Sequence, residues 1–278
     1  MTLPTFLGIG VMRGGSTWLH ELLATHPDIY VPKRRKEIYF FDLYYDRGLE
    51  WYEQFFPKAE EARQYRALGE ITPTYFYRPY GPERIAGVPS ITRLLLIVRN
   101  PVDRLYSHYG LLVKNGQYSG SLDSFLAERP DMIQQGFYSR YLKNFLTRFG
   151  REQILVLIYE DATADVVGAK ATLGRFLDVS ADRFPAEAGT KSVNRSYRPK
   201  AALGYALARR VAWYHLRYGW DLDWVVNWGK RLGIESLFGD AGRLPSMKPE
   251  TKSYLQGVYE PEIRELEALL QTDLARWR

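Results

Sequence analysis

Residues 6–23, Phe-Leu-Gly-Ile-Gly-Val-Met-Arg-Gly-Gly-Ser-Thr-Trp-Leu-His-Glu-Leu-Leu, constrain this chain more than any other stretch. The apolar run from Phe6 to Val11 reads as a buried strand. The pair Gly14-Gly15 ends that pattern, and Trp18, Leu19, Leu22 and Leu23 then fall on one helical face. A strand, a glycine turn and a helix start in that order make an anion site. Backbone N–H groups at the helix N-terminus point outward and the macrodipole favours negative charge there. Glycine lets the main chain approach a phosphate closely. Ser16 and Thr17 add hydroxyl donors, and Arg13 adds a permanent cation. The alternative for the same residues is a tight strand-to-helix turn with no ligand.

The loop departs from the nucleotide-triphosphate pattern, in which Gly, four residues and then Gly-Lys-Ser/Thr follow one another. Gly10 and Gly15 have that spacing, but Ser16 stands where the lysine belongs, and the cation is Arg13, before the glycines. A second apolar strand, Leu94–Val98, ends in Arg99-Asn100, where an NTPase places a magnesium-binding Asp. Asn100 suits a helix cap and Pro101 the first helical position. Leu105, Tyr106, Tyr109, Leu112 and Val113 supply the apolar face of the helix that follows. Arg99 at the strand tip and Ser107 two turns into that helix are placed to share one anion.

Together the two segments resemble the phosphosulfate loop and the 3′-phosphate motif of sulfotransferases that use 3′-phosphoadenosine 5′-phosphosulfate (PAPS), nearest the heparan-sulfate and bacterial carbohydrate branch. Lys36-Glu37-Ile38-Tyr39-Phe40-Phe41-Asp42 resembles that branch's Lys-Glu-x-x-Phe-Phe segment. Gly48–Tyr52, Gly69–Phe76, Gly136–Leu142 and Gln153–Leu157 look like family patterns in the same order. The resemblance implies that Gly14, Gly15, Ser16 and Thr17 hold the 5′ end of the nucleotide, and Arg99 and Ser107 its 3′-phosphate. Lys191, Ser192, Val193, Asn194 and Arg195 would close over it. It implies Glu37 as the base, with His108 in reserve, and Arg13 as the cation at the leaving phosphate. Heparan-type members more often carry lysine at that place. Arginine can stabilise the leaving group but is a poor proton donor. Without the resemblance, Glu37 and the run Lys33–Lys36 read as a solvated charged face.

Three strand-like runs, at 6–11, 94–98 and 154–158, alternate with helical patterns, which predicts an α/β fold. Its form is a P-loop-like parallel sheet flanked by helices, with a helical C-terminal region that Pro261 starts or kinks. The 278 residues suit a single domain over 1–278. Residues 204–238 carry Trp213, Trp220, Trp224 and Trp228 among basic residues. They read either as a helical subregion packed on the core or as an acceptor-side or lipid-touching wall. The absence of cysteine excludes disulfides and thiolate chemistry. The net charge of +6 fits anionic ligands. The first strand starts almost at the N-terminus and no apolar run spans a bilayer, so the expected location is cytoplasmic.

The expected activity is metal-free transfer of a sulfuryl group from PAPS to a hydroxyl of a small-molecule or carbohydrate acceptor, with no nucleic-acid partner. Membrane contact and oligomeric state stay open. The alternatives are a P-loop small-molecule kinase, against which the missing loop lysine and the Arg after Val98 count, and a non-catalytic nucleotide- or polyanion-binding module.

Overall fold

Strands that carry almost no solvent-facing residue must be covered on both faces, and the way to do that is a parallel sheet crossed by helices. The computed structural model, which describes residues 1–33, 35–190 and 246–278, contains such a sheet. It holds β1 (Phe6–Gly10), β2 (Ile29–Tyr30), β3 (Ala67–Ile71), β4 (Arg93–Val98) and β5 (Ile154–Ile158) in the order β2-β3-β1-β4-β5. Every pairing is parallel. β1 and β3 are buried along their whole length, and β4 exposes only Arg93 in part. The three predicted strands are present, and β2 and β3 complete the sheet.

Contacts divide the chain into two compact units. The first comprises Met1–Arg104, Gln135–Val193 and Val258–Arg278, and it contains the sheet. On one side of the sheet, α1 (Ser16–Leu23) buries Trp18, Leu19, Leu22 and Leu23 as its pattern predicts. Leu173 and Leu177 of the helix Val166–Leu177 join that cluster. The helix Tyr138–Leu146 buries Tyr138, Leu142 and Phe145. Aromatic rings pack where β3 ends: Phe40 stacks on Tyr52 at 4.2 Å, and Phe41 meets Tyr75 edge-on at 5.4 Å.

The second unit comprises Leu105–Gln134 and Asn194–Gly257. Its described part has its own small core of Tyr109, Val113, Phe125 and Met132. Ser121 caps the helix Leu122–Glu128 by accepting from the Ser124 N–H. The C-terminal helical region begins at Pro249, not at Pro261, and runs to Leu270 with Pro261 inside it. Pro249 fits that start because the first helical N–H has no intrahelical partner to lose. Residues 191–195 and the tryptophan-rich stretch 204–238 lie outside the described residues.

Candidate active site

The chain leaves β1 toward β2 on one side of the sheet and leaves β4 toward β5 on the other. The C-terminal ends of β1 and β4, where the strand order reverses, are the usual ligand position in such sheets. The turn after β1 stands there. Val11 donates its N–H to the Ile97 carbonyl at 2.9 Å, and Gly14 donates to the Val11 carbonyl at 3.1 Å. Gly15 then starts α1 with φ +113°, a conformation suited to glycine. No side chain caps the leading N–H groups of α1, and no acidic residue stands in its first turn.

Cations gather around this turn. Burial holds the Arg13 guanidinium below its usual pKa, and the charge of Arg99 adds to the effect while Tyr159 opposes it. The Arg99 guanidinium lies over the Tyr159 ring, 5.3 Å from its centroid, and pairs with Asp103 at 4.0 Å. Its carbonyl accepts the Tyr138 hydroxyl at 2.9 Å. The following residue behaves as its sequence predicts: Asn100 Oδ1 accepts the Val102 N–H at 2.9 Å and caps the helix Pro101–Lys114.

Lys36 is the residue that sequence reasoning left on an exposed basic face. Its side chain is only 23% exposed. Its ammonium lies 2.9 Å from Thr17 Oγ1, 3.3 Å from Ser16 Oγ and 3.4 Å from Glu37 Oε1. Burial pulls its pKa down, Glu37 and Glu21 pull it up, and Arg13 pulls it down again. The run it belongs to is split by packing. Lys33 is exposed, while Arg35 lies over the rings of Tyr44 and Phe55 and donates to the Glu37 carbonyl at 3.3 Å. The one local signal for Lys36 was its place directly before Glu37. Next to it, His20 is held down to about 4 by burial and then by Lys36, so it is neutral at physiological pH.

Glu37 projects from a segment that β3 anchors. Its Oε2 accepts the Tyr39 hydroxyl, whose pKa burial and the Glu37 charge push up, so that Tyr39 stays a neutral donor. Thr72 Oγ1 accepts the N–H groups of Ile38 and Tyr39 at 3.1 and 3.4 Å and donates to Glu70 Oε2 at 2.7 Å. Glu70 is fully buried and also receives Tyr75 and Tyr52 at 2.7 and 3.2 Å. Burial pushes its pKa up to about 7 against those hydrogen bonds.

Arg13, Gly14, Gly15, Ser16, Thr17, Glu37 and Arg99 all belong to the first unit, and Lys36 brings Ser16, Thr17 and Glu37 together. Ser107, half-buried on the helix Pro101–Lys114, and the buried His108 belong to the second. Lys191, Ser192, Val193, Asn194 and Arg195 lie outside the described residues.

A sulfotransferase domain matches residues 4–198. The chain belongs to the sulfotransferase family. It is 33% identical over 185 residues to mouse heparan sulfate glucosamine 3-O-sulfotransferase 6, covering 63% of this chain and 52% of that protein. It is 33% identical over 190 residues to human heparan sulfate glucosamine 3-O-sulfotransferase 3B1, covering 63% and 45%. The chain thus spans about half the length of these curated relatives. Its fold is that of a sulfotransferase from Alicyclobacillus acidocaldarius, with a TM-score of 0.72 at 24% identity over the whole of both chains. A mouse sulfotransferase complexed with PAP aligns with a TM-score of 0.51 at 15% identity, over 93% of this chain and 84% of that one.

Proposed function

We propose that this protein transfers a sulfuryl group from PAPS to a hydroxyl of a carbohydrate or glycosylated acceptor. The observation that carries the reading is the uncapped start of α1, with no acid in its first turn and with Ser16, Thr17 and the Lys36 ammonium gathered at it. A helix start without a competing acid, with hydroxyls and a cation beside it, suits a site whose occupant is an anion, and a nucleotide with a 5′-phosphosulfate is one. The uncapped start of α1 would receive the 5′ end, with Ser16 and Thr17 donating to it. Arg99 would take the 3′-phosphate. Family membership supports the donor, and the names of the heparan sulfate relatives support a sugar acceptor.

Sulfuryl transfer resembles phosphoryl transfer in what it asks of a protein: in-line positioning and stabilisation of charge on the departing oxygen. Glu37 accepts the acceptor's proton as its oxygen attacks sulfur. Tyr39 and the segment hung from Thr72 hold that carboxylate in place.

Calorimetric titration with 3′-phosphoadenosine 5′-phosphate (PAP), beside ATP with magnesium, tests the donor. Incubation with PAPS and a panel of N-sulfated glucosamine oligosaccharides and simple alcohols, read by mass spectrometry, tests the acceptor. Magnesium-independent binding of PAP and a sulfated oligosaccharide are expected. Preference for ATP with magnesium would make the chain a kinase, and binding of neither nucleotide would leave a polyanion-binding module.

A further inference from the structure

Arg13 leaves one step of the transfer without an obvious agent. The oxygen that bridges phosphorus and sulfur gains charge as the S–O bond breaks, and a group able to release a proton would neutralise it. A guanidinium does not release one in the working pH range. Resting on the sulfotransferase reading above, we propose that Lys36 is a catalytic residue of the transfer and the proton donor to the leaving phosphate.

The placement of Lys36 makes the case. Its ammonium has three N–H bonds, and three acceptors surround it: Ser16 Oγ and Thr17 Oγ1 at the start of α1, and Glu37 Oε1. It therefore stands between the turn that binds the donor and the carboxylate that faces the acceptor. The two hydroxyls also serve as donors. A hydroxyl that donates to an anion on the turn still accepts from Lys36, so a proton can pass from the ammonium to that anion through Ser16 or Thr17. Burial disfavours the charge on Lys36 and Arg13 adds to that, while Glu37 and Glu21 oppose it. The charged and titratable groups that face it are Glu37 beside it in sequence, Glu21 and His20 on α1, and Arg13 on the turn. His20 is neutral and adds no charge.

The step balances without a further reagent. The acceptor O–H gives its proton to Glu37 while its oxygen forms the new S–O bond. The old S–O bond breaks with its electron pair on the bridging oxygen, which becomes a terminal oxygen of the 5′-phosphate. Lys36 gives a proton to that oxygen and becomes a neutral amine. Glu37 returns the acceptor's proton to Lys36 across their 3.4 Å contact. Both residues end as they began, and the phosphate carries one proton away with it.

The substitutions Lys36→Arg, which keeps the charge but holds its proton, and Lys36→Cys separate this role from simple anion binding. The chain has no native cysteine, so Lys36→Cys can be alkylated with bromoethylamine at that position alone to restore an amine of nearly the same length. Four quantities are read for each form: PAP affinity by calorimetry, kcat, KM for PAPS, and kcat against pH. In the wild type, kcat falls on the alkaline side as Lys36 deprotonates. Lys36→Arg keeps PAP affinity within about fivefold, loses about 100-fold or more in kcat and loses the alkaline limb. Alkylation of the cysteine variant restores kcat and the limb. Lys36→Arg with wild-type kcat and an unchanged alkaline limb would overturn the proposal. So would losses of PAP affinity that match the losses of turnover, which would make Lys36 a binding residue only. A wild-type protein that neither binds PAP nor turns over PAPS fails before any variant is made, and that failure belongs to the sulfotransferase reading.

Discussion

Thr72 holds the backbone of Ile38 by accepting its N–H at 3.1 Å, so the segment that carries Glu37 hangs from the end of β3. The same hydroxyl donates to Glu70 at 2.7 Å, and Thr72 is fully buried. Thr72→Val keeps the shape and removes both bonds. It leaves a buried N–H and a carboxylate oxygen short of a partner, a loss of about 1–3 kcal/mol. The expected result is a lower unfolding midpoint in denaturant, together with a fall in kcat at unchanged PAP affinity. Thr72→Ser, which keeps the hydroxyl, should behave as wild type. A Thr72→Val protein with full stability and full kcat would show that the hydroxyl positions nothing.

Glu70 ties this support to pH. Its folded pKa is raised to about 7 from the ordinary 4.5, chiefly by burial. Below pH 4.5 the carboxyl is protonated in both states and costs nothing. Between about 4.5 and 7 the unfolded chain ionises while the folded one holds its proton, so stability falls as pH rises. The fall amounts to about 3 kcal/mol in all and levels off above 7. Glu70→Gln should flatten that window. Denaturant unfolding at closely spaced pH values from 4 to 8 measures both slopes, and equal slopes would mean that Glu70 is not the group responsible.

How far the fold and site could be read from sequence followed from how local each signal was. β1, β4 and β5 are uninterrupted apolar runs and read directly. β3, Ala67-Leu68-Gly69-Glu70-Ile71, contains a glycine and a carboxylate. It is a buried strand because Tyr52, Tyr75 and Thr72 satisfy Glu70 from outside it. No window of the sequence shows that. β2 is two residues long and carries no pattern. The turn after β1 was legible because its requirement, a glycine at positive φ between a strand and a helix, is met within a few residues. Lys36 was not, since its membership in a basic run says the opposite of its position. What turns it inward is the anchoring of Ile38 and Tyr39 on Thr72, a contact between segments far apart in the chain.

The charge arrangement around the turn should trade stability of the free protein against binding. Burial and Arg99 together disfavour the charge on Arg13. Arg13→Gln should therefore leave the free protein no less heat-stable than wild type while weakening PAP binding by about tenfold or more. Thermal unfolding with and without PAP reports both, because a ligand that binds only the folded state raises its stability with the logarithm of occupancy. The expected pattern is an equal or higher midpoint without ligand and a smaller upward shift with it. A lower midpoint without ligand would mean that Arg13 is chiefly a structural residue.

Gly15 combines two constraints that can be separated. Its φ of +113° is strained for any side chain, and a Cβ there would lie 2.4 Å from Tyr159 Cδ2 and 3.0 Å from Ile97 Cδ1. The backbone part alone costs about 1–3 kcal/mol. The steric part moves Tyr159, the ring beneath the Arg99 guanidinium. Gly15→Ala should thus lower stability and PAP affinity together. Gly48 supplies the control: its φ is +76° with nothing within 4 Å of an added Cβ, so Gly48→Ala carries only a backbone cost and should leave PAP affinity intact. In a Tyr159→Leu background the smaller side chain relieves the steric part. Gly15→Ala should then cost less than in the wild type, and the difference, measured as a double-mutant cycle in denaturant, gives the coupling between turn and ring. Equal costs in both backgrounds would place the whole penalty in the backbone and detach Tyr159 from the geometry of the turn after β1.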